Sequence, residues 1–224
     1  MKLNSLMIGL YFTGVFSLMS KIVIASDIIT VEQKEFTQIL NSQAKPITFP
    51  LSSDDKNLIE AMKVKLNDLG GVGLAAPQIN QGVQIIAIYI PESASLLREN
   101  VHPYPMHIMV NPYYEIIEDS LMVEDFEACY SVSTKAGKVS RAEQIKLTYL
   151  DEVGKKHVSI EKGFYARVIQ HEVDHLQGIL ITDRLRPDSI QGSLEEMMDL
   201  RRQELPQEKR ALYDALMKKK VKKP

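Results

Sequence analysis

The sequence predicts an α+β fold, in which mostly antiparallel sheets surround one central helix and a helical extension follows at the C-terminus. Two observations support this prediction. Before residue 160, segments with the residue types and alternation of strands outnumber the helical ones. After the central helix, the pattern is that of a pair of helices. The chain has 224 residues, of which 45% are hydrophobic, and this suits one compact domain with extensions.

The first helix is predicted at 52–69, where leucine and methionine recur at helical spacing. Ser53 or Asp54 can cap its beginning, and the glycine pair at 70–71 ends it. The central helix is predicted at 164–176, with Gly178 just past its end. A helical tail is predicted at 193–220, in which Pro206 is a break or a first-turn residue of a further helix.

The strands are predicted from β-branched and aromatic runs that are bounded by turn residues. They are 83–90, 108–110, 113–123, 144–150 and 155–160, with a hairpin turn at 151–154. Segment 71–79 consists mostly of small residues and is predicted as a tight loop. Segment 91–107 is predicted as an irregular loop.

The N-terminal segment 1–25 resembles a secretory signal peptide. Lys2 precedes an uncharged apolar run at 6–19, and Val23 and Ala25 form a small-residue cleavage pattern. The run is short for a spanning helix, so no stable membrane span is expected in the mature chain. The alternative is that translation begins at Met19 and the run is never made. We therefore divide the chain into this segment, a main domain at 26–190, and a C-terminal helical extension with a basic tail at 191–224.

Charge and cysteine content exclude two classes of protein. The net charge of −2 gives no global basic field, so specific DNA binding is not expected. Cys129 is the one cysteine, which excludes an intrachain disulfide. Its thiol is a candidate nucleophile or metal ligand, or else a small buried apolar group. The terminal sequence MKKKVKKP is either a solvated end or a segment that docks to a polyanion.

Residues 171–175 read HEVDH, an instance of the H-E-x-x-H pattern. On a helix, His171 and His175 share one face and can reach a single metal ion. Glu172 then stands beside the open coordination position, where a carboxylate can take a proton from a water molecule. The pattern predicts metal-assisted hydrolysis on the central helix, and a third metal ligand is needed to complete the site.

Three completions of the pattern can be compared. A histidine six residues after His175 is absent, because Ile181 stands there. A glutamate from a downstream helix is available at Glu195 or Glu196 and would make the chain a zinc metallopeptidase. An upstream ligand is available in Cys129, within EACYSV.

Three segments, GVGLAAPQI, EACYSV and QHEVDHLQG, occur in this order and together resemble the signature segments of the peptide deformylase family. Asn111 and Pro112, and the Val-Ser-Arg segment that ends at Arg141, match the family as well. The resemblance extends from about residue 40 to residue 185, so the main domain is expected to be the catalytic domain. The stretch HPYPMHIMVNP favours the mitochondrial-type branch of the family.

The resemblance implies a hydrolase that removes the N-formyl group from the formyl-methionine of nascent chains and peptides. Cys129, His171 and His175 would bind one divalent metal ion, with Fe²⁺ as the native metal and Zn²⁺, Ni²⁺ or Co²⁺ as substitutes. Glu172 would act as general base, and Gln78 and the backbone N–H of Tyr130 would stabilise the oxyanion.

The resemblance also suggests how a peptide would bind. The residues expected to contact substrate are Gly71, Val72, Gly73, Phe164 and Val168. The two glycines would let a peptide approach the backbone closely, and the three larger residues would line a pocket for an unbranched apolar side chain. Arg167 lies in the same register, and the alternative to a place beside the pocket is that its guanidinium turns to solvent while its stem packs.

Three supporting residues are expected around the ligands. Asp174 would support the site from behind the ligands or cap locally. Glu127 and Arg141 could pair and thereby fix the cysteine loop, or form a plain surface ion pair.

One departure from the family concerns Ala128, which stands where the family normally has glycine. If that position needs a left-handed backbone, activity falls, and the alternative function is a weak relative that only binds formylated peptides. Formylated N-termini arise in the cytosol or an organelle, which favours an internal location, whereas segment 1–25 favours export. The basic tail would then contact the ribosome.

Overall fold

The computed structural model describes residues 27–98 and 101–221. The signal-like segment 1–25 lies outside the described residues. The strands form a five-stranded sheet in the order β1-β2-β3-β6-β7 and a three-stranded sheet in the order β4-β5-β8, and their pairings are antiparallel. The predicted α+β class is therefore confirmed. In the described part of the chain, no helix is both long and apolar enough to cross a membrane.

The strands are β1 Gly73–Ala75, β2 Ile85–Ile90, β3 Tyr104–Ile116, β4 Met122–Cys129, β5 Val132–Ala142, β6 Gln144–Leu150, β7 Lys156–Lys162 and β8 Gln191–Gly192. The α-helices are α1 Thr37–Leu40, α2 Ser53–Leu69, α3 Glu92–Leu97, α4 Gly163–Leu176, α5 Ile181–Arg184, α6 Leu194–Glu204 and α7 Gln207–Val221. Short 3₁₀ turns occur at Lys34–Phe36 and Ala76–Ile79.

The N-terminus of α2 is capped by Ser52. The prediction of Ser53 or Asp54 as the cap was wrong. The Ser52 hydroxyl accepts the backbone N–H of Asp55 at 3.1 Å, and the Asp55 carboxylate accepts that of Ser52 at 2.9 Å. At the other end, Gly70 has a left-handed backbone with φ of 62°, which a glycine adopts without strain.

Two loop predictions and one strand prediction were wrong in part, and one strand was not predicted. Segment 71–79 contains β1, and segment 91–107 contains α3 and the beginning of β3. The predicted strand 113–123 is two strands, because the chain turns at Asp119, where φ is 64°. Strand β5 was missed, since its serines, lysines and glycine hide the alternation of a half-buried strand.

Strand β2 is buried on both faces, because the central helix α4 packs on one face and α2 on the other. Because side chains of a strand alternate, Ile86 and Ile88 face one apolar cluster and Ile85 faces another. The first cluster contains the apolar face of α4, and the second contains the buried face of α2. Helix α4 therefore lies inside the molecule and contacts both sheets, as the sequence predicts for the HExxH helix.

The C-terminal extension is a pair of helices, α6 and α7, that is interrupted at Pro206 as predicted. Ser193 caps α6, accepting the backbone N–H of Glu196 at 3.2 Å. The two helices are joined by an ion pair between Arg202 and Asp214 at 2.6 Å and by a hydrogen bond from the Tyr213 hydroxyl to the Met198 carbonyl.

Candidate metal centre

Cys129, His171 and His175 converge at the inner face of α4. One candidate ligand atom from each residue lies within 4.8 Å of the others, and the Cys129 sulfur lies 3.2 Å from Nε2 of His175. Cys129 is the last residue of β4, whereas both histidines project from α4 one turn apart. The structure therefore brings together the three residues predicted as ligands, from two elements distant in sequence.

The donor set fits a single catalytic metal ion. Metal–sulfur bonds of about 2.3 Å and metal–nitrogen bonds of about 2.0–2.1 Å place ligand atoms of one ion about 3–4 Å apart. One thiolate and two imidazoles leave a fourth position open in a tetrahedral site. These three residues could therefore hold a divalent ion, but their donor atoms do not select one metal.

Glu127 fixes the first histidine. Its carboxylate lies 3.0 Å from Nδ1 of His171, which leaves Nε2 of that ring for a metal. This contact was not predicted, although a sequence signal exists: Glu127 precedes Cys129 by two residues, and alternate residues of a strand share a face. Burial raises the pKa of Glu127, but hydrogen bonds from His171 and Arg141 outweigh burial and hold it well below its usual range.

A buried ionic cluster stands behind Glu127. Arg141 donates to both oxygens of Glu127 at 2.9 Å and to Asp174 at 2.5 Å. Arg184 also donates to Asp174, at 2.5 and 3.0 Å. The pairing of Glu127 with Arg141 is therefore as predicted and is buried. Asp174 supports the site indirectly. It accepts hydrogen bonds from Arg141 and Arg184, and none is seen from either histidine within the described residues.

Glu172 is the buried carboxylate of the site. It is 4% exposed, and its Oε2 has no hydrogen-bond partner among the described residues. Burial raises the pKa of Glu172 to about 7, near the value that suits a group exchanging protons at neutral pH. Because burying a carboxylate without a partner is costly, its position indicates a functional role.

Gly73 makes room for that carboxylate. A Cβ atom on Gly73 would lie 2.7 Å from Cδ of Glu172, which is closer than real Cβ contacts allow. A Cβ atom on Gly71 would likewise lie 2.6 Å from the hydroxyl of Tyr130. A side chain at either glycine would therefore displace a neighbour: the buried Glu172 at Gly73 and the exposed Tyr130 at Gly71.

Gln78 points its amide nitrogen at Cys129, one of the candidate metal ligands. Its Oε1 accepts the backbone N–H of Ala75 at 2.8 Å, so its Nε2 faces the Cys129 sulfur at 3.7 Å. The side chain is 1% exposed. This orientation leaves an N–H donor beside the position where a substrate carbonyl would meet the metal. The backbone of Tyr130 follows Cys129 directly, and the Tyr130 side chain donates to the Leu69 carbonyl at 3.3 Å.

The alternative in which Arg167 turns its guanidinium to solvent is wrong. Its guanidinium is buried and donates to Glu127 at 2.6 Å and to the Val139 carbonyl at 2.8 Å. Of the predicted pocket residues, Val168 is buried, and Val72 and Phe164 pack half-buried against the same apolar cluster. The Arg98 guanidinium lies 4.2 Å from the Phe164 ring centre. The region beside the predicted apolar pocket is thus rich in charge.

The alternative third ligands do not reach the site. Glu195 and Glu196 are exposed in the first turn of α6, and Glu196 accepts the backbone N–H of Ser193 at 2.7 Å. The cluster of candidate metal ligands within the described residues contains Cys129 instead. The geometry therefore opposes the metallopeptidase completion.

Ala128 adopts an ordinary backbone conformation. Among the described residues, the non-glycine residues with positive φ are Asn80, Asn111 and Asp119. Ala128 lies at a shift of register between β4 and β5, and its methyl group is exposed. The backbone argument for an inactive relative is therefore removed.

Comparison with known proteins agrees with this geometry. Residues 25–191 match the family model described as polypeptide deformylase. The chain belongs to the polypeptide deformylase family. Deformylases are hydrolases that remove the N-formyl group from nascent peptides, and the predicted enzyme class is thereby confirmed.

Individual deformylases are similar over most of the chain. Peptide deformylase 2 of Rickettsia conorii is 37% identical, over 74% of this chain and 83% of its own. The class I type b deformylase of Acinetobacter baumannii, solved with Met-Ala-Ser bound, is 32% identical, with a TM-score of 0.62 over 72% of this chain and 99% of its own. The Plasmodium falciparum deformylase is 29% identical, with a TM-score of 0.59 over 72% and 87%. Membership of the mitochondrial-type branch stays a prediction.

Proposed function

We propose that Cys129, His171 and His175 hold one divalent metal ion and that Glu172 moves the proton in the hydrolysis of N-terminal formyl-methionine. The observation that supports this most directly is the convergence of three candidate ligands beside a buried carboxylate, one oxygen of which has no hydrogen-bond partner among the described residues. The catalytic domain would comprise residues 26–190, and residues 191–224 would form an extension.

The metal ion, when bound, would polarise the formamide carbonyl and lower the pKa of water. Glu172 would accept a proton from the attacking water and then deliver it to the departing amine. Nε2 of Gln78 and the backbone N–H of Tyr130 would donate to the oxygen that becomes negative. Glu127 would hold His171 in the tautomer whose Nε2 is free to coordinate.

A substrate peptide would lie along Gly71 and Gly73 as an added strand. The side chain of its formylated residue would rest against Val72, Phe164 and Val168. The packing of these three side chains on one apolar cluster supports this placement.

The deciding experiment assays formate release from formyl-Met-Ala-Ser by the full-length chain, purified without oxygen and supplied with Fe²⁺. Glu172→Gln should lower kcat by about 10²–10⁴-fold, the usual contribution of acid–base catalysis, while metal content is unchanged. Equal rates in the two proteins would contradict the assigned role of Glu172.

The identity of the ligands can be tested without an activity assay. Cys129→Ala should abolish stoichiometric metal binding, as measured by elemental analysis after dialysis, because it removes the one cysteine thiol of the chain. Glu195→Ala and Glu196→Ala should leave metal content unchanged. Fe²⁺ is proposed as the native metal and Zn²⁺, Ni²⁺ or Co²⁺ as substitutes, and the same analysis of protein from its own cells checks this.

We also propose that the enzyme acts in the cytoplasm and that its terminal lysines contact the ribosome. Formylated termini arise where nascent chains emerge, and five lysines among residues 218–224 would be attracted to ribosomal RNA. Removal of residues 218–224 should weaken co-sedimentation with ribosomes, and the difference should shrink as salt rises. Undiminished co-sedimentation would contradict the contact.

A further inference from the structure

A cavity of about 350 Å³ lies between α4, β4 and the C-terminal helices. Its lining includes five basic residues: Arg98, Arg141, Arg167, Arg201 and Lys209. They come from the segment after α3, from β5, from α4 and from the C-terminal extension. Phe164, which was predicted to line the substrate pocket, also lines this cavity. The cavity therefore adjoins the predicted peptide site.

Three carboxylates line the same cavity, and each can be matched with positive charge nearby. Asp125 bridges two of the arginines, accepting Arg98 on one oxygen and Arg201 on the other, the latter at 2.7 Å. Glu124 is exposed and faces Arg186 at 3.4 Å. Glu143 is half-buried beside Gly163. In a count of the charges that line the cavity, the half-buried Lys209 matches it with one positive charge.

Positive charge is in excess in two neighbouring ionic groups, one around Asp125 at this cavity and one around Glu127 and Asp174 beside the candidate metal ligands. Among the described residues, five guanidiniums share three carboxylates through direct contacts. The guanidiniums belong to Arg98, Arg141, Arg167, Arg184 and Arg201, and the carboxylates to Asp125, Glu127 and Asp174. A thiolate and Glu172 would be balanced by a divalent ion, so they add no counter-charge.

Aromatic faces hold two of these guanidiniums in place. Arg98 lies 4.2 Å from the Phe164 ring centre, and Arg201 lies 5.4 Å from that of Phe126. Their side chains are only 19% and 20% exposed, so water solvates their positive charges poorly. Burial and the neighbouring charges of Arg201 and Arg167 lower the pKa of Arg98 to about 9. A bound anion would relieve this repulsion.

We propose that this cavity is an oxyanion-binding site, in which Arg98 and Arg201 bind a carboxylate or phosphate group. Planar guanidiniums donate in pairs to such groups, and Val101, Val123 and Leu205 provide apolar walls for a short carbon stem. The oxyanion comes either from a free small anion or from an acidic side chain of a formyl peptide. The second source rests on the proposed deformylase function.

Calorimetric titration of the metal-loaded full-length chain with inorganic phosphate at low chloride tests the site without using activity. Arg201→Gln should weaken phosphate binding at least tenfold, because it removes one charged donor. Arg202→Gln is the matched control, since it removes the neighbouring guanidinium of the same helix, whose partner Asp214 lies on α7. Arg201→Lys keeps the positive charge but loses the paired donors of the guanidinium, so its affinity for phosphate should lie between those of Arg201→Gln and Arg202→Gln.

Formate release from formyl-Glu-Ala-Ser and formyl-Met-Ala-Ser distinguishes the two sources. If the oxyanion is a substrate side chain, Arg201→Gln should lower the ratio of kcat/KM for the glutamate peptide to that for the methionine peptide at least tenfold. Arg202→Gln should leave the ratio unchanged. If the ligand is a free anion, phosphate binding depends on Arg201 while the ratio stays constant.

The proposal is overturned if phosphate fails to bind at millimolar concentration and the peptide ratio does not respond to Arg201→Gln. It is also overturned if Arg201→Gln and Arg202→Gln have equal effects in both measurements. Failure of the deformylase function would instead appear as no formate from the methionine peptide, with phosphate binding unaffected.

Discussion

Two groups of ion pairs in this molecule have the same chemistry and different surroundings. Beside the metal ligands, the side chains of Arg141, Glu127 and Asp174 are 3%, 6% and 3% exposed. Between the C-terminal helices, those of Arg202 and Asp214 are 40% and 37% exposed. An exposed pair is screened by water, whereas a buried carboxylate that loses its partner remains desolvated. The first group therefore fixes the geometry of the site, and the second only holds two helices together.

The largest effect on stability is expected from Arg141→Met. The variant leaves the buried carboxylates of Glu127 and Asp174 with fewer donors, so the free energy of unfolding should fall by about 3–5 kcal/mol. Urea denaturation measures the loss. Arg186→Met is the control, because its guanidinium is 63% exposed and pairs with the exposed Glu124.

A loss of less than 1 kcal/mol in Arg141→Met would show that burial does not distinguish the two groups of ion pairs. Metal content measured on the folded fraction extends the test. Since Arg141 orients Glu127, and Glu127 orients His171, metal affinity should fall about 10–100-fold as well.

Gly73→Ala sharpens the comparison on the catalytic side, because it moves a buried carboxylate without removing any charge. The added methyl group would lie 2.7 Å from Cδ of Glu172, and that side chain must shift. A displacement of this size at a reacting group lowers kcat by about 10²-fold. Gly82→Ala is the control, since among the described residues its methyl group would meet only Ile39, at 3.7 Å.

The expected signature of Gly73→Ala is a fall in kcat for formyl-Met-Ala-Ser with metal content retained. Wild-type kcat in this variant would mean that Glu172 has room to move, and that its observed position is not the one that matters for turnover.

The two regions also differ in how well the sequence predicts them. The proposed metal ligands follow from local rules: a four-residue spacing on one helix and a cysteine in a recognisable segment. The inward turn of Arg167 depends on Glu127, which lies 40 residues away on β4. No local pattern contains that contact, and an arginine on an otherwise apolar helix face is usually one that reaches water.

The same reason explains the errors in the strands. Strand β5 is specified by its pairing with β4 and β8, not by its own composition. By contrast, the break at Pro206 is purely local, because proline lacks the N–H that a helix interior requires, and the sequence predicts it correctly.

The smallest effect is expected from Arg202→Gln. Because both partners of the Arg202–Asp214 pair are more than one third exposed, the variant should lose less than about 1 kcal/mol in urea denaturation. The loss should shrink further in 0.5 M salt, where exposed charges are screened over about 4 Å. The extension has other contacts, such as Tyr213 to Met198, that persist in the variant. A loss as large as that of Arg141→Met would instead mean that α6 and α7 unfold together with the deformylase domain, so that the extension is part of its cooperative core.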